Sequence, residues 1–267
     1  MITLTSAQLN VWIAAFLWPL TRILGLIATA PLFGHASVPV TVKVTLGAML
    51  AMVIAPTVPA GPAADPMSLA GLLIVVLQLV IGLSMGFAMR VVFAAVELAG
   101  EVIGLTMGFG FATFFDPQTH GRSSAISQFL ALLTLMLFLA TNAHLLLLSV
   151  LANSFVTLPI SATPMPSEGL RQIANWGALI FSFGLQLALP LIAVLLVTNI
   201  ALGVLTRAAP QLNLFGIGFP ITLCAGFVML ALALPYIATP LDRMFQKGLD
   251  FTQQIYAPAK PPRLNAN

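Results

Sequence analysis

The sequence predicts an all-helical integral membrane protein, and three observations carry that reading. Only 6% of the 267 residues are charged and 60% are hydrophobic, whereas a soluble domain carries about 25% charged residues. Mean hydropathy is +1.06. Six apolar blocks, at about 9–30, 38–56, 69–90, 126–151, 173–205 and 212–238, approach or exceed the roughly 20 residues that carry a helix across a hydrocarbon core of about 30 Å.

The first block follows an N-terminus with no Lys or Arg before Arg22. Although Ala28, Thr29 and Ala30 imitate a small-residue cleavage site, the missing basic region predicts a retained helix rather than a signal peptide. Turn-rich punctuation separates the later blocks: Pro31 with Gly34, then Pro39, the run PTVPAGPAADP at 56–66, the segment 115–124 and TLPISATPMPSEG at 157–169. One interval lacks such punctuation. From Met67 to Asp116 there is no proline, Asn or Asp, and a single helix over 69–111 would be ~64 Å long at about 1.5 Å per residue. Two arrangements stay open: a hairpin folding back near Gly82–Arg90, or a helix that rises out of the bilayer.

The same interval carries Gly82 and Gly86, then Gly100, Gly104 and Gly108. Glycines four apart line one helix face and let a neighbouring backbone approach closely, so these five are expected to pack helices together.

Four charged residues lie in apolar surroundings. Arg22 sits near the middle of the first block, where an isolated arginine costs about 2.5–3.5 kcal/mol, so it should have a partner. Arg90, Glu97 and Glu101 return to one helical face through steps of seven and four. Such groups could mark a proton or cation path. A relay would spread its carboxylates over several helices, however, and an ion-pair network among Arg22, Arg90, Glu97 and Glu101 is the preferred reading.

Catalytic chemistry finds little support. His35, His120 and His144 occur singly, no HExxH or phosphate-cradling loop is present, and no nucleophile signature appears. Cys224 is the only cysteine, which leaves no internal disulfide and argues against a cysteine metal site. No enzyme, cofactor, metal or nucleic-acid role is expected. Asn142 and His144, polar within a long uncharged run, are expected to cap or bridge helices by hydrogen bonding.

Net charge is +3. Most of the excess lies after Ala238, so the tail is expected to stay cytoplasmic. The chain accordingly divides into a helical membrane domain at 1–238 and a segment at 239–267. There Leu241, Met244, Phe245, Leu249 and Ile255 line one side of an amphipathic helix suited to a membrane surface or a partner helix, followed by a tail that is expected to be disordered.

Four segments together carry a resemblance to a known family. They are Pro19 and Arg22 followed by TAPLFG, the VPVTVK entry to the second block, EVIGLTMGFGFATFFDP at 101–117, and TNAHLLLLSVLANSFVTLPI at 141–160. The chain resembles the FliR family, export-gate subunits of the bacterial flagellar type III secretion system, over nearly its whole length. The resemblance implies kinked helical hairpins, with a FliP-like part followed by a FliQ-like part. It implies an inner-membrane pore built with FliP and FliQ, protruding to the periplasmic side of the flagellar basal body, with FlhB and FlhA as further partners. Unfolded flagellar subunits would be its cargo, and lipid its surroundings.

The resemblance also gives a role to the aromatic segment. It implies that the loop reaches into the pore and that Phe111 and Phe114 plug it, with Phe109 and Phe115 as further aromatics. A hydrophobic constriction blocks ions by dewetting, and Gly108, Gly110 and Gly121 would let the segment move aside. The residues by themselves equally allow rings that anchor a helix end or pack in a core. Two other readings stay open for the whole chain: the equivalent T-subunit of a virulence-type injectisome, and a secondary transporter with Arg22, Glu97 and Glu101 as its polar core.

Overall fold

The computed structural model describes residues 6–59, 61–62, 64–109, 124–163, 167–209 and 218–255. Every regular element among them is helical: α1 (Ser6–Thr29), α2 (Val40–Ile54) with a 3-10 turn at Ala55–Thr57, α3 (Leu69–Met107), α4 (Ala125–Ala140), α5 (Ala143–Thr157), α6 (Ser167–Ala208) and α7 (Phe219–Gln254). Five of these are long and apolar enough to cross a membrane, or six if α4 and α5, which meet at a bend, count as one span.

The interval after Met67 forms one continuous helix rather than a hairpin. Across its 39 residues nothing removes a backbone donor or offers a turn, so the ladder runs unbroken for about 58 Å. The block at 126–151 behaves in the opposite way. Asn142 adopts a left-handed backbone, φ 57° and ψ 20°, and ends one helix while starting the next. Asn tolerates that conformation where most residues do not. α6 carries Pro190, and α7 carries Pro235 and Pro240, within their helices; neighbouring groups compensate for such missing donors inside membranes.

Contacts divide the chain into two units. The first comprises residues 1–90, 142–177 and 246–267, the second 91–141 and 178–245. In the first, α1 packs against α3 through glycine. A Cβ on Gly82 would strike the Arg22 carbonyl, one on Gly86 would strike Thr29 Oγ1, and one on Gly25 would lie 2.7 Å from the Leu79 carbonyl. Thr29 Oγ1 also donates to the Leu83 carbonyl at 3.1 Å, a polar bridge that only such close backbones allow. The core of the second unit is aromatic: Phe93, Phe138 and Phe245 lie with ring centroids 5.3 to 6.1 Å apart.

Residues 239–254 continue α7, so position 238 lies inside one helix. Leu241, Met244, Phe245, Leu249 and Ile255 are all buried, while Arg243, Lys247 and Asp250 are exposed. The apolar side is thus used within the chain rather than turned to a membrane surface, as Trp176 stacked on Phe251 at 4.4 Å illustrates. By contrast, only 17%, 22% and 17% of the apolar windows of α2, α6 and α7 are buried. These flanks are largely exposed.

Candidate functional site

The candidate site is the aromatic segment between α3 and α4, together with the groups that hold its two ends. Phe111, Phe114, Phe115, Gly110 and Gly121 lie outside the described residues. Both anchors lie within them. At the first, α3 stops at Met107 and Gly108 takes φ 92°, a left-handed conformation that glycine enters without steric strain and that commonly ends a helix. Gly108 therefore turns the chain at the end of α3. Next to it Phe109 meets Phe227 of α7 edge to face, 6.3 Å between centroids.

The second anchor is Ser124. Its backbone N–H donates to Glu101 Oε1 at 2.7 Å, and its Oγ accepts from the Ser127 N–H at 3.2 Å, capping α4. Its hydroxyl also lies 3.3 Å from the Gly100 carbonyl, while Ser127 Oγ donates to the Glu97 carbonyl at 2.9 Å. The glycines permit this proximity. A Cβ at Gly104 would lie 2.8 Å from Ser124 Oγ, and one at Gly100 would collide with the Ser127 backbone. Glu101 thus satisfies a backbone donor at the start of α4, where the helix dipole also favours a negative charge.

The four charged residues are placed differently from one another. Arg90 is exposed on α3, and Glu97 is half-buried, as is Glu101. Arg22 is completely buried. Its three described hydrogen bonds go to neutral acceptors, where the sequence pattern pointed to a carboxylate: Nε to Gln78 Oε1 at 2.8 Å, one terminal nitrogen to Ser154 Oγ at 3.0 Å, and the other to the Leu158 carbonyl at 3.0 Å. The guanidinium lies 4.2 Å from the centre of the Phe155 ring. Arg22 therefore ties α1 to α3 and to the end of α5, whose last carbonyls welcome a cation.

Asn142 contributes through its backbone. Its carbonyl accepts from the Leu145 and Leu146 N–H groups at 2.9 and 3.1 Å, and its side chain makes no capping bond. His144 is half-buried in the first turn of α5. Among the described residues, no three His, Cys, Asp or Glu side chains gather to hold a metal ion.

Several residues that hold these contacts have no part in the sequence patterns: Gln78, Ser154, Phe155, Phe227, Ser124 and Ser127. Only Ser124 carried a local signal, a serine directly before an apolar helical run. The others depend on contacts between distant segments.

Comparison with known proteins is decisive at this point. The sequence profile described as "Bacterial export proteins, family 1" matches residues 13–248, which includes both anchors of the aromatic segment. A flagellar biosynthetic protein FliR of Pectobacterium carotovorum subsp. carotovorum is 43% identical over 96% of this chain and 97% of its own length. The chain belongs to the FliR family of bacterial export proteins. A FliR of Escherichia coli (strain K12) is 44% identical over the same shares of the two chains, and one of Bacillus subtilis (strain 168) is 30% identical over 91% and 95%. These FliR relatives are named for flagellar biosynthesis. The family and the long apolar helices together make the chain a membrane protein of flagellar export.

Proposed function

We propose that the chain is a structural, non-enzymatic subunit of the flagellar export gate in the inner membrane, and that it forms with FliP and FliQ the pore that passes unfolded flagellar proteins. FlhB and FlhA would be its further neighbours, and the tail after α7 would be cytoplasmic. The observation that carries this reading is similarity over almost the full length to relatives named for flagellar biosynthesis. That naming favours the flagellar system over an injectisome.

The anchored aromatic segment suits the role. Gly108 and the Glu101–Ser124 bond hold in register the two ends of the stretch that carries Phe111 and Phe114. As a hydrophobic plug it would dewet the pore to ions and yield to a passing chain. Arg22 and Glu101, each engaged with neutral groups in the contacts described above, support scaffolding roles rather than the polar core of a transporter.

The test is the composition of the complex that co-purifies with a C-terminally tagged copy after mild detergent extraction. Recovery with FliP and FliQ is the expected result. Recovery as a monomer or pure homo-oligomer across several mild detergents would overturn the proposal.

A further inference from the structure

Two consecutive positions of α7 form a seat for the end of α3. Gly226 lies against the last residue of that helix: a Cβ there would stand 2.6 Å from Met107 Cγ and 2.8 Å from Met107 Sδ, and Met107 is fully buried. Glycine is what lets the two helices come so close. The next residue, Phe227, meets Phe109 with 6.3 Å between ring centroids and 85° between the ring planes, the edge-to-face arrangement that aromatic quadrupoles favour. One turn earlier, Thr222 Oγ1 donates to Asn199 Oδ1 at 3.1 Å and fastens this stretch of α7 to α6.

We propose that Phe227 is a positioning residue of the aromatic segment: by holding the Phe109 ring it fixes where the chain leaves α3, two residues before Phe111. The inference rests on the plug reading and deepens it, because it assigns part of the ion barrier to a helix far away in sequence.

Burial separates this role from the filling of a core. Phe227 is 50% exposed, whereas Phe93, Phe138 and Phe245, the core rings of the same unit, are at most 4% exposed. Half the ring therefore adds little to apolar burial, and what remains is its directed contact with Phe109. That contact falls where the backbone needs one. Gly108 has left the helical conformation, with φ 92°, so the ladder of α3 no longer sets the direction of the residue that follows. A side chain braced by Gly226 and Thr222 sets it instead.

The test compares ion conductance across the cell membrane, per copy of the protein accumulated there. Phe227→Leu keeps apolar bulk without the ring and should raise conductance roughly two- to tenfold, the worth of one such ring pair. Phe227→Met takes its place if the leucine variant does not accumulate. Phe227→Tyr keeps the ring and should match the wild type, which a general loosening of α7 does not explain. Phe109→Leu combined with Phe227→Leu should leak no more than Phe227→Leu alone, because both changes remove one contact. Wild-type conductance in Phe227→Leu, or a leak that multiplies in the double variant, would overturn the inference; a leak from joint replacement of Phe111 and Phe114 with alanine would then leave the plug reading standing. If that pair does not leak either, the plug reading falls and this inference falls with it.

Discussion

The backbone N–H of Ser124 is held by the carboxylate of Glu101, 23 residues earlier in the chain, at 2.7 Å. This single bond fastens the start of α4 to α3 and closes the base of the aromatic segment. Glu101→Ala removes the only charged acceptor described at that position, and a hydrogen bond to a charged group is worth about 1.5–3 kcal/mol. Thermal unfolding of the purified complex should show that loss, with increased ion leakage across the membrane. Glu101→Gln keeps an oxygen acceptor and should lose less than half as much.

The plug reading predicts a separation of two phenotypes. Replacing Phe111 and Phe114 together with alanine should raise membrane conductance in cells while some export continues. Unchanged conductance in cells carrying the assembled variant would remove the plug.

At Gly82 and Gly100 any side chain meets backbone, which cannot swing away. Gly82→Ala or Gly100→Ala should therefore destabilise by about 1–3 kcal/mol, as overpacking does. Gly203 is the matching control, because nothing lies within 4 Å of its added Cβ. There the helix gains about 0.5–1 kcal/mol from alanine. Membrane accumulation of the three variants, measured in parallel, checks the contrast.

Arg22 needs its fork. Lysine offers a single ammonium in place of a planar group that reaches Gln78, Ser154 and Leu158 at once, so Arg22→Lys should be nearly as damaging as removal. Removing the guanidinium leaves the Gln78, Ser154 and Leu158 oxygens without that donor, at a cost of about 1–3 kcal/mol for each one left unsatisfied. Accumulation of folded protein, read by limited proteolysis in membranes, should fall sharply in both variants.

Asn142 should accept glycine and reject valine. Its φ of 57° costs a non-glycine residue about 1–2 kcal/mol, and a β-branched side chain suffers most. Thermal stability should be held in Asn142→Gly and lost in Asn142→Val.

Hydropathy made the helices legible because the long apolar runs are helical among the described residues, and lipid permits little else. Two boundaries were harder. The continuity of α3 past Arg90 depends on the absence of any breaker, which excludes a turn only weakly. The break at Asn142 comes from one backbone conformation that no periodicity reports. Glycine spacing pointed to close packing, and the partners proved to be the backbones of Arg22 and Ser127. Charge was the poorer guide. The hydrogen bonds described for Arg22 and Glu101 are to carbonyls, amides and hydroxyls supplied by segments far away in sequence, and such groups stand in every residue or in very common ones. No pattern of opposite charges announces them.

The exposed apolar flank of α6 has a consequence for the life of the chain in the cell. It runs from Leu170 to Leu205, about 53 Å at 1.5 Å per residue, while a bilayer offers about 30 Å of hydrocarbon. Lipid cannot serve all of it. If the proposed neighbours cover the remainder, a copy made without them would leave part of that flank uncovered. Such copies should then be degraded faster than copies made with their neighbours, which pulse-chase labelling would show.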